Sequence, residues 1–535
     1  MSERTGRKSS GAKTSRSSSS NVRRPSLPRL RSSPRLVRTI SAESETLTRA
    51  VSHLSLDGGA QDSIWVPFVK GVLNASLPHE YLRADVLNLA QALKLPKWHN
   101  KKGSTTHLIP NLVKLTKITG ALTNAIFKVE YPSLPSLLLR VYGPQVESII
   151  DRDYELKVLA RLSSHNVGPK LYGCFTNGRF EQFLENSTTL TRHDIRDWHT
   201  SQRIARRMKE LHTGVPLLPF EIKQGPISWF RMDKWLKVFE QSKWSRNDSN
   251  IQEVLLADSF TRFLEMVQRY RNWLDEAYRG SKDDLAFCHN DAQYGNLLFT
   301  SPVAPPVTAP TSSAASIESS NSLFPTSSNI SVDQIINPPQ QEQAQDSKLV
   351  VIDFEYSGAN RPAFDLANHF SEWMCDYNCS EAYKSDETKY PTKAELLNFL
   401  YSYASHRRSS HNGTIDKEVR ELYNDVIRQR ACVSLHWCMW AIIQSGELDD
   451  AKKDKVIEEG PGGEKYVITV DPDDEGAVED SDSSVDGVDI DTFDNIRFAT
   501  EKIAIFWGDL LQLGLVKKEE LPNGIKLKLL DTAFL

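Results

Sequence analysis

His289-Asn290-Asp291-Ala292-Gln293-Tyr294-Gly295-Asn296 lies between two short apolar runs, residues 285–288 and 297–300. Lys348-Leu349-Val350-Val351-Ile352-Asp353-Phe354 is a third apolar run, and it too delivers an acid at its end. Apolar runs of this length, bounded by polar loops, read as buried strands. Asp291 and Asp353 are therefore expected at strand ends, with the 285–288 and 297–300 strands paired around the loop and Asn296 five residues beyond Asp291. An isolated Asp in such a place is more often a turn former or a helix cap. The set becomes informative through its order and its surroundings.

Upstream the pattern is that of strands. Residues 113–118 and 125–131 flank the turn Thr119-Gly120-Ala121-Leu122-Thr123-Asn124, and residues 137–142 form a third strand with Arg140 inside it. Residues 170–175 and 179–184 give two more, and 147–162 reads as a helix with Glu155 in its middle. Downstream, helices are expected at 202–212, 253–278, 363–377, 394–405, 417–446 and 492–513. The fold class expected is α+β: a bilobal, protein-kinase-like arrangement with an N-terminal antiparallel sheet lobe (113–184) and a larger helical C-terminal lobe (185–535).

In that frame, an HxDxxxxN loop followed by a strand ending in Asp-Phe is a phosphoryl-transfer layout. Asp291 would accept the proton of an attacking hydroxyl. Asn296 would give an amide oxygen to Mg²⁺, and Asp353 carboxylate oxygens that bridge metal and phosphates, so the metal set is Asn296 and Asp353. Mg²⁺ takes oxygen ligands and keeps several waters, so two or three protein ligands suffice. Gly120, Thr123 and Asn124 lie in a turn whose N–H groups can approach phosphates, although the turn is not a GxGxxG loop. Arg140 stands where a kinase places its phosphate-binding lysine, and Glu155 where the ion-pair partner belongs. Gln182 and Leu184, in the stretch 181–184, would offer backbone groups to adenine. The cofactors expected are ATP and Mg²⁺.

The remaining chain is organised by composition. Of 535 residues, 39% are hydrophobic and 25% charged, with a net charge of -4. That balance excludes a strongly basic nucleic-acid binder, but it conceals two opposed blocks. Residues 1–40 hold eleven Lys or Arg and one acid, whereas 471–491 hold ten Asp or Glu and no Lys or Arg. Residues 1–60 read as a disordered basic tail. Residues 61–112 read as a small helical segment, because Leu82, Val86, Leu89, Ala90 and Leu93 recur at helical spacing. Residues 301–346, with seven Pro and ten Ser, and 448–491 read as disordered insertions. Arg23-Arg24-Pro25-Ser26 and the acid-flanked Ser481, Ser483 and Ser484 suit regulatory protein kinases, against the plainer reading of solvated spacers. Six cysteines without a CxxC pair fit a reducing compartment. With no secretory signal and no 18-residue apolar run, the expected location is cytoplasmic, with no membrane span and no nucleic-acid partner.

HNDAQYGN (289–296), VIDFEYSGANRPAFDLANHFSEWMCDY (351–377) and SLHWCMWAIIQS (434–445) resemble the choline/ethanolamine kinase family. ITGALTNAIFKVE (118–130), LLLRVYGPQVESIIDRDYE (137–155) and VGPKLYGCFTNGRFEQFL (167–184) resemble its N-terminal lobe, and HEYLRADVLNLAQALKLPKW (79–98) the N-terminal segment of fungal members. The resemblance implies phosphorylation of choline or ethanolamine by Mg-ATP, the first step toward phosphatidylcholine and phosphatidylethanolamine. It implies Asp291 as base, Asp353 as magnesium ligand with Asn296 beside it, and Gln293 in the same loop. Tyr377, Trp437, Trp440 and Phe498 match positions around a quaternary ammonium pocket, with Glu372 nearby. The residues agree: Trp437 and Trp440, at i and i+3, share a helix face. Phe493 and Phe498 are expected on the last helix and Tyr377 at the end of the 363–377 helix, so three elements would bring rings together. Each ring face contributes roughly 0.5–2 kcal/mol to holding a cation. Tyr294 departs from the family, replacing a common acid, and Phe498 and Asn495 stand where animal members often have Tyr. A homodimer is a further expectation from the family. A dedicated ethanolamine kinase, an aminoglycoside-type phosphotransferase and a non-catalytic scaffold are the competing readings.

Overall fold

A computed structural model of the chain describes residues 66–75, 77–99, 108–118, 124–142, 152–165, 167–279, 284–301, 323–324, 330–408, 414–448, 456–459, 465–468 and 493–535. The N-terminal lobe is a six-stranded sheet of β1 (Phe68–Val69), β2 (Lys114–Ile118), β3 (Asn124–Glu130), β4 (Leu137–Tyr142), β5 (Leu171–Phe175) and β6 (Gly178–Gln182), in the order β1-β5-β6-β4-β3-β2. Neighbours are antiparallel except β1 and β5, which run parallel. That edge corrects the expected purely antiparallel sheet. A strand of two residues leaves no alternation for a sequence reading to detect.

Strand alternation sends Leu137, Leu139 and Val141 of β4 to one face. There they pack with Phe127, Val129 and Phe180 and with Leu82, Val86, Leu89 and Ala90 of helix α1 (His79–Ala92). Arg140 and its register partner Arg179 occupy the opposite face. Gly178 permits the tight β5–β6 turn, since a Cβ there would meet the Arg140 carbonyl oxygen at 2.4 Å. Helix α2 (Arg152–Ser164) follows β4 in the chain.

The second lobe is helical: α3 (Trp198–Gly214), α4 (Ile227–Gln241), α5 (Phe260–Ala277), α6 (Pro362–Ser371), α7 (Lys393–Ser405), α8 (Ile415–Gln444) and α9 (Asn495–Gln512) enclose the largest core. The helix expected over 253–278 is interrupted. A short helix ends at Glu253, Leu256 takes a left-handed φ of 52°, and the Ser259 side chain caps α5. The central pair α8 and α9 is riveted by Arg430 and Asp509, both fully buried, with bonds of 2.6 Å (Nη2–Oδ1) and 3.0 Å (Nε–Oδ2). Gly508 lets the C-terminal segment lie against α9, for a Cβ there would stand 2.0 Å from the Lys528 carbonyl oxygen.

Short strands carry the loops between helices: β7 (Thr188–Thr189), β8 (Ala286–Cys288), β9 (Leu297–Phe299), β10 (Leu349–Val351) and β11 (Gly358–Asn360). The expected pairing of 285–288 with 297–300 does not form. β8 pairs with β11, and β9 lies between β10 and β7. Chain proximity favoured a hairpin, but the loop between the two strands has its own tertiary anchors. β12 (Val456–Glu459) and β13 (Lys465–Ile468) form an antiparallel hairpin within 448–491. Residues 1–60 lie outside the described residues. Among the described residues no helix is long and apolar enough to cross a membrane.

The expectation of disorder over all of 301–346 is also corrected. Val332–Ile336 and Gln340–Ala344 are helices, and Phe324 stacks on Tyr401 of α7 with centroids 5.7 Å apart. The overall Pro and Ser count hid a local pattern: Val332, Ile335 and Ile336 have helical spacing, and Ile335 is buried. Glu342 and Asp346 meet two arginines one turn apart on α3. Arg203 bonds Glu342 at 2.5 Å, and Arg206 holds Asp346 in a fork of 2.6 and 2.7 Å. Removing one partner of a buried pair costs about 3–5 kcal/mol, because the other charge is left uncompensated. Asp346→Ala is therefore expected to lower unfolding free energy by about that amount, read as a shift of the urea midpoint at unchanged slope.

Candidate active site

The loop from β8 is fixed from behind. Asp365, in the first turn of α6 and fully buried, accepts the N–H of His289 (2.7 Å), the N–H of Asn290 (2.8 Å) and His212 Nε2 (3.0 Å). Burial alone would raise its carboxyl, but the His212 hydrogen bond and the backbone donor outweigh it and hold it below its usual value. Asn290 takes a left-handed φ of 66°, a region Asn tolerates. Its side chain is locked as well, donating to Tyr356 O (3.0 Å) and accepting from Asn360 Nδ2 (2.9 Å). The ligand atoms of His212, Cys288 and Asp365 lie within 4.8 Å of one another, as a metal trio would. Here they are committed to hydrogen bonds: His212 Nδ1 to the Tyr403 hydroxyl (2.7 Å) and Cys288 Sγ to Asn360 O (3.5 Å). The trio anchors the loop.

His289 connects the two acid-bearing strand ends. Its Nδ1 faces the Asp291 N–H (3.2 Å) and its Nε2 the Ile352 carbonyl (2.8 Å). The network thus assigns a neutral ring with the proton on Nε2, and burial lowers its pKa in agreement. Ile352 N–H returns a bond to Asn296 O (2.9 Å). Asp353, the next residue, takes a left-handed φ of 63°, and its carboxylate faces Arg140 of the sheet lobe.

Asp291, Asn296 and Asp353 are thereby brought together. Asn296 Nδ2 donates to Asp291 O (2.9 Å) and Oδ2 (3.0 Å). That orientation commits the amide nitrogen and leaves the amide oxygen as an available acceptor. Burial raises the Asp291 carboxyl well above its ordinary range, and the charges of Glu372, Asp353 and Glu355 push the same way. Asp353 behaves oppositely: burial would raise it, but Arg140 and Arg179 hold it below its usual value. Arg140 Nη1 reaches Asp353 Oδ1 at 2.9 Å, linking the sheet lobe to the helical lobe. Hard oxygen donors on Asp353 and Asn296 fit magnesium chemistry.

Beside the acids lies a set of rings. Tyr356, three residues after Asp353, meets Trp437 at 5.3 Å, Trp437 meets Trp440 at 5.4 Å, Trp440 meets Phe498 at 6.3 Å, and Phe498 meets Phe493 at 5.4 Å. Both indole N–H groups are paired, Trp437 Nε1 with Asn368 Oδ1 (2.7 Å) and Trp440 Nε1 with the Tyr356 hydroxyl of the same ring set (2.7 Å). Phe493 precedes the last helix rather than lying on it, and Tyr377 follows a short 3₁₀ turn (Glu372–Met374) beyond α6. These are small corrections, since helix ends are the least legible feature of a sequence. Tyr377 gives its hydroxyl to Glu372 (2.8 Å) and its N–H to the Tyr294 hydroxyl (2.7 Å). Tyr294, read as a departure, is thus the post on which the Tyr377 backbone rests.

Residues 115–507 match the profile of the choline/ethanolamine kinase family, and residues 59–103 that of the choline kinase N terminus. The chain belongs to the choline/ethanolamine kinase family. It is 50% identical to a choline kinase of Saccharomyces cerevisiae over 97% of each chain. It is 38% identical to an ethanolamine kinase of the same yeast, over 88% of this chain and 84% of that one. A choline kinase crystal structure from Cryptosporidium parvum superposes with a TM-score of 0.51 at 19% identity, covering 81% of this chain and 97% of that one, and so shares the fold.

Other expected site residues of this kinase-family chain are placed less fully. Gly120 and Thr123 lie outside the described residues. Asn124 opens β3 and Glu155 lies in α2, and their side chains lie outside the description. Gln182 N–H closes a bond to Lys170 O (2.8 Å), and the Leu184 carbonyl accepts the Ser187 hydroxyl (2.7 Å). The Gln182 N–H is therefore already paired, whereas the Leu184 carbonyl keeps a second lone pair. Gln293 lies in the loop beside Asp291, where its Oε1 accepts the Gly295 N–H (3.2 Å). Sequence reasoning passed over Glu355, Tyr356, Asp365 and Asn368. All four sit in the stretch 351–377 that it quoted, and their signal was proximity to Asp353.

Asp365→Asn keeps the shape but turns a two-oxygen acceptor into an amide with one, leaving a buried N–H unpaired. The cost is about 1–3 kcal/mol of stability. If the loop drifts, kcat should fall about a hundredfold while the KM for ATP stays within threefold. Beneath the same loop, His369 donates from Nδ1 to Ala292 O (2.8 Å), and burial lowers its pKa to about 4. The unfolded imidazole titrates near 6.5, so between those values the unfolded chain binds the extra proton. Stability should therefore fall as pH drops through that window, by up to about 3 kcal/mol. Denaturation midpoints of wild type and His369→Gln between pH 7 and pH 4.5 read this, the variant giving the flatter profile.

Proposed function

We propose that this chain transfers the terminal phosphoryl group of ATP to the hydroxyl of choline, with ethanolamine as a poorer acceptor. The observation that carries the reading is the ring array Tyr356–Trp437–Trp440–Phe498–Phe493 beside Asp291. Cation–π attraction suits a trimethylammonium group, which offers no N–H and asks for diffuse negative faces. Among relatives, the 50% identity to a choline kinase against 38% to an ethanolamine kinase points the same way.

In this reading Asp291 accepts the hydroxyl proton as the oxygen attacks, and its raised pKa makes it a stronger base than an ordinary carboxylate. Asn296 holds that carboxylate in place through its amide N–H. Asp353 and the Asn296 amide oxygen are the groups that would hold Mg²⁺, which neutralises phosphate charge when Mg-ATP is bound. Arg140 then exchanges Asp353 for phosphate oxygens, which its planar guanidinium suits. Residues 113–184 serve as the nucleotide lobe and 185–535 as the catalytic and acceptor lobe. Six unpaired cysteines support a reducing, cytoplasmic setting.

The test is a panel of amino alcohols and aminoglycosides with purified full-length protein and Mg-ATP. Choline should lead, with kcat/KM about tenfold or more above ethanolamine, roughly 1.4 kcal/mol. Transfer to an aminoglycoside but not to choline would sink the reading. Asp291→Asn should lower kcat about 10²–10⁴-fold with little change in ATP binding. Trp437→Ala should raise the choline KM roughly tenfold, as expected for losing up to about 2 kcal/mol of ring attraction, without a matching rise for ATP.

A further inference from the structure

One carbonyl oxygen joins the catalytic loop, the ring set and helix α4. The 3₁₀ turn Phe354–Tyr356 follows Asp353 directly and ends on Tyr356, whose ring opens the aromatic set by meeting Trp437. Tyr356 O accepts two donors, Asn290 Nδ2 at 3.0 Å and Arg231 Nη1 at 2.7 Å. Arg231 is half-buried on α4. Its Nη2 reaches Glu355 O at 3.3 Å, so the planar guanidinium spans two successive carbonyls of the turn. Its central carbon stands 5.4 Å from the centre of the Tyr356 ring. At the far end of the same side chain, the Tyr356 hydroxyl accepts Trp440 Nε1 at 2.7 Å. Tyr356 is thus held both at its backbone and at its tip.

The segment that leaves β10 is anchored separately at its two ends. Ile352 N–H bonds Asn296 O, and the Asp353 carboxylate meets Arg140 of the sheet lobe. Tyr356 takes its place instead from Asn290 and Arg231. Of the two bonds on its carbonyl, the one from Arg231 is the shorter and is charge-assisted, the stronger class of hydrogen bond. A carbonyl has two lone pairs, so removing Arg231 leaves Tyr356 O still paired with Asn290. The turn then keeps a partner while losing its firmer one. We propose that Arg231 is a positioning residue for the acceptor: it fixes where the Tyr356 ring stands against Trp437, and thereby sets affinity for the amino alcohol while leaving the nucleotide side of the cleft unaffected. This rests on the choline reading above and deepens it.

The experiment measures kcat and the KM values for choline and ATP in purified full-length wild type, Arg231→Met, Arg231→Lys, Tyr356→Leu and Arg231→Met/Tyr356→Leu, with thermal melts to establish folding. Arg231→Met keeps an apolar stem and removes both donors. It should raise the choline KM about tenfold, the scale of one lost hydrogen bond to a charged group, with the ATP KM within about threefold. Arg231→Lys keeps a charged donor for Tyr356 O and should hold both KM values within about threefold of wild type. Where the Tyr356 ring is already gone, Arg231 has nothing left to position. Arg231→Met should therefore add less than about twofold to the choline KM of Tyr356→Leu, a coupling that a merely structural arginine would not produce. A folded Arg231→Met protein whose choline KM is unchanged, or whose ATP KM rises as much, overturns the proposal, and so does full additivity in the double variant. If Arg231→Met fails to fold, Arg231→Gln takes its place: a rise in the choline KM alone supports the assignment, and no rise, or an equal rise for ATP, overturns it. Wild-type protein that phosphorylates no amino alcohol refutes the choline reading and this proposal with it, whereas choline-active wild type beside an indifferent Arg231→Met refutes this proposal alone.

Discussion

Two backbone N–H groups of a left-handed turn, those of His289 and Asn290, converge on the buried carboxylate of Asp365. Loops carry unsatisfied backbone donors, and a buried one is tolerated only if it is paired. Asp365 removes that penalty for a turn that no strand or helix could supply. The same oxygen that takes the His289 N–H takes His212 from α3, so the pose of the loop is referred to two helices. Everything chemical follows from that pose: where Asp291 stands, where His289 can reach Ile352, and therefore where Asp353 leaves its strand.

The lobes meet through charge rather than apolar area at this point. Arg140 projects from the sheet face opposite α1 because alternation in β4 commits Leu139 and Val141 to the core. It then finds Asp353 across the cleft. Arg179, its register partner, adds to the positive field and is itself paired with Glu181. Asp353 is held ionised by Arg140, with Arg179 adding to the effect. Each group serves as the other's counter-ion, so neither is left with an uncompensated charge in the half-buried cleft.

How much of this was legible depended on the range of the interaction. The acids, the WxxW pair and the strand pattern of β2 to β6 were readable because each is local: spacing and alternation within a few residues state the geometry. The pairing of β8 with β11 was not, since nothing in residues 286–288 names residues 358–360 as partners. Nor was the docking of Glu342 and Asp346 on α3, which joins residues about 140 positions apart. Composition averaged over 301–346 saw proline and serine, and missed two acids at i and i+4 that meet two arginines at i and i+3. Tyr356 and Asp365 were quoted within a motif without a role, because a role for either requires the third dimension.

The electrostatics of the acceptor region explain why so many of its charges are buried. In the proposed role of Asp291 as base, burial raises its carboxyl most, and Glu372 adds to that through like-charge repulsion. Without Glu372 that part of the effect would be lost. Tyr377 gives Glu372 a hydrogen bond of 2.8 Å, and burial keeps its carboxyl above the usual value against the pull of the Lys502 charge. The rings then supply the attraction that remains. Their indole N–H groups are tied to Asn368 and Tyr356, so neither indole N–H is left as a competing donor. In the proposed reading, basicity at Asp291 and affinity for a methylated nitrogen thus come from neighbouring groups, buried carboxylates for the one and aromatic rings for the other.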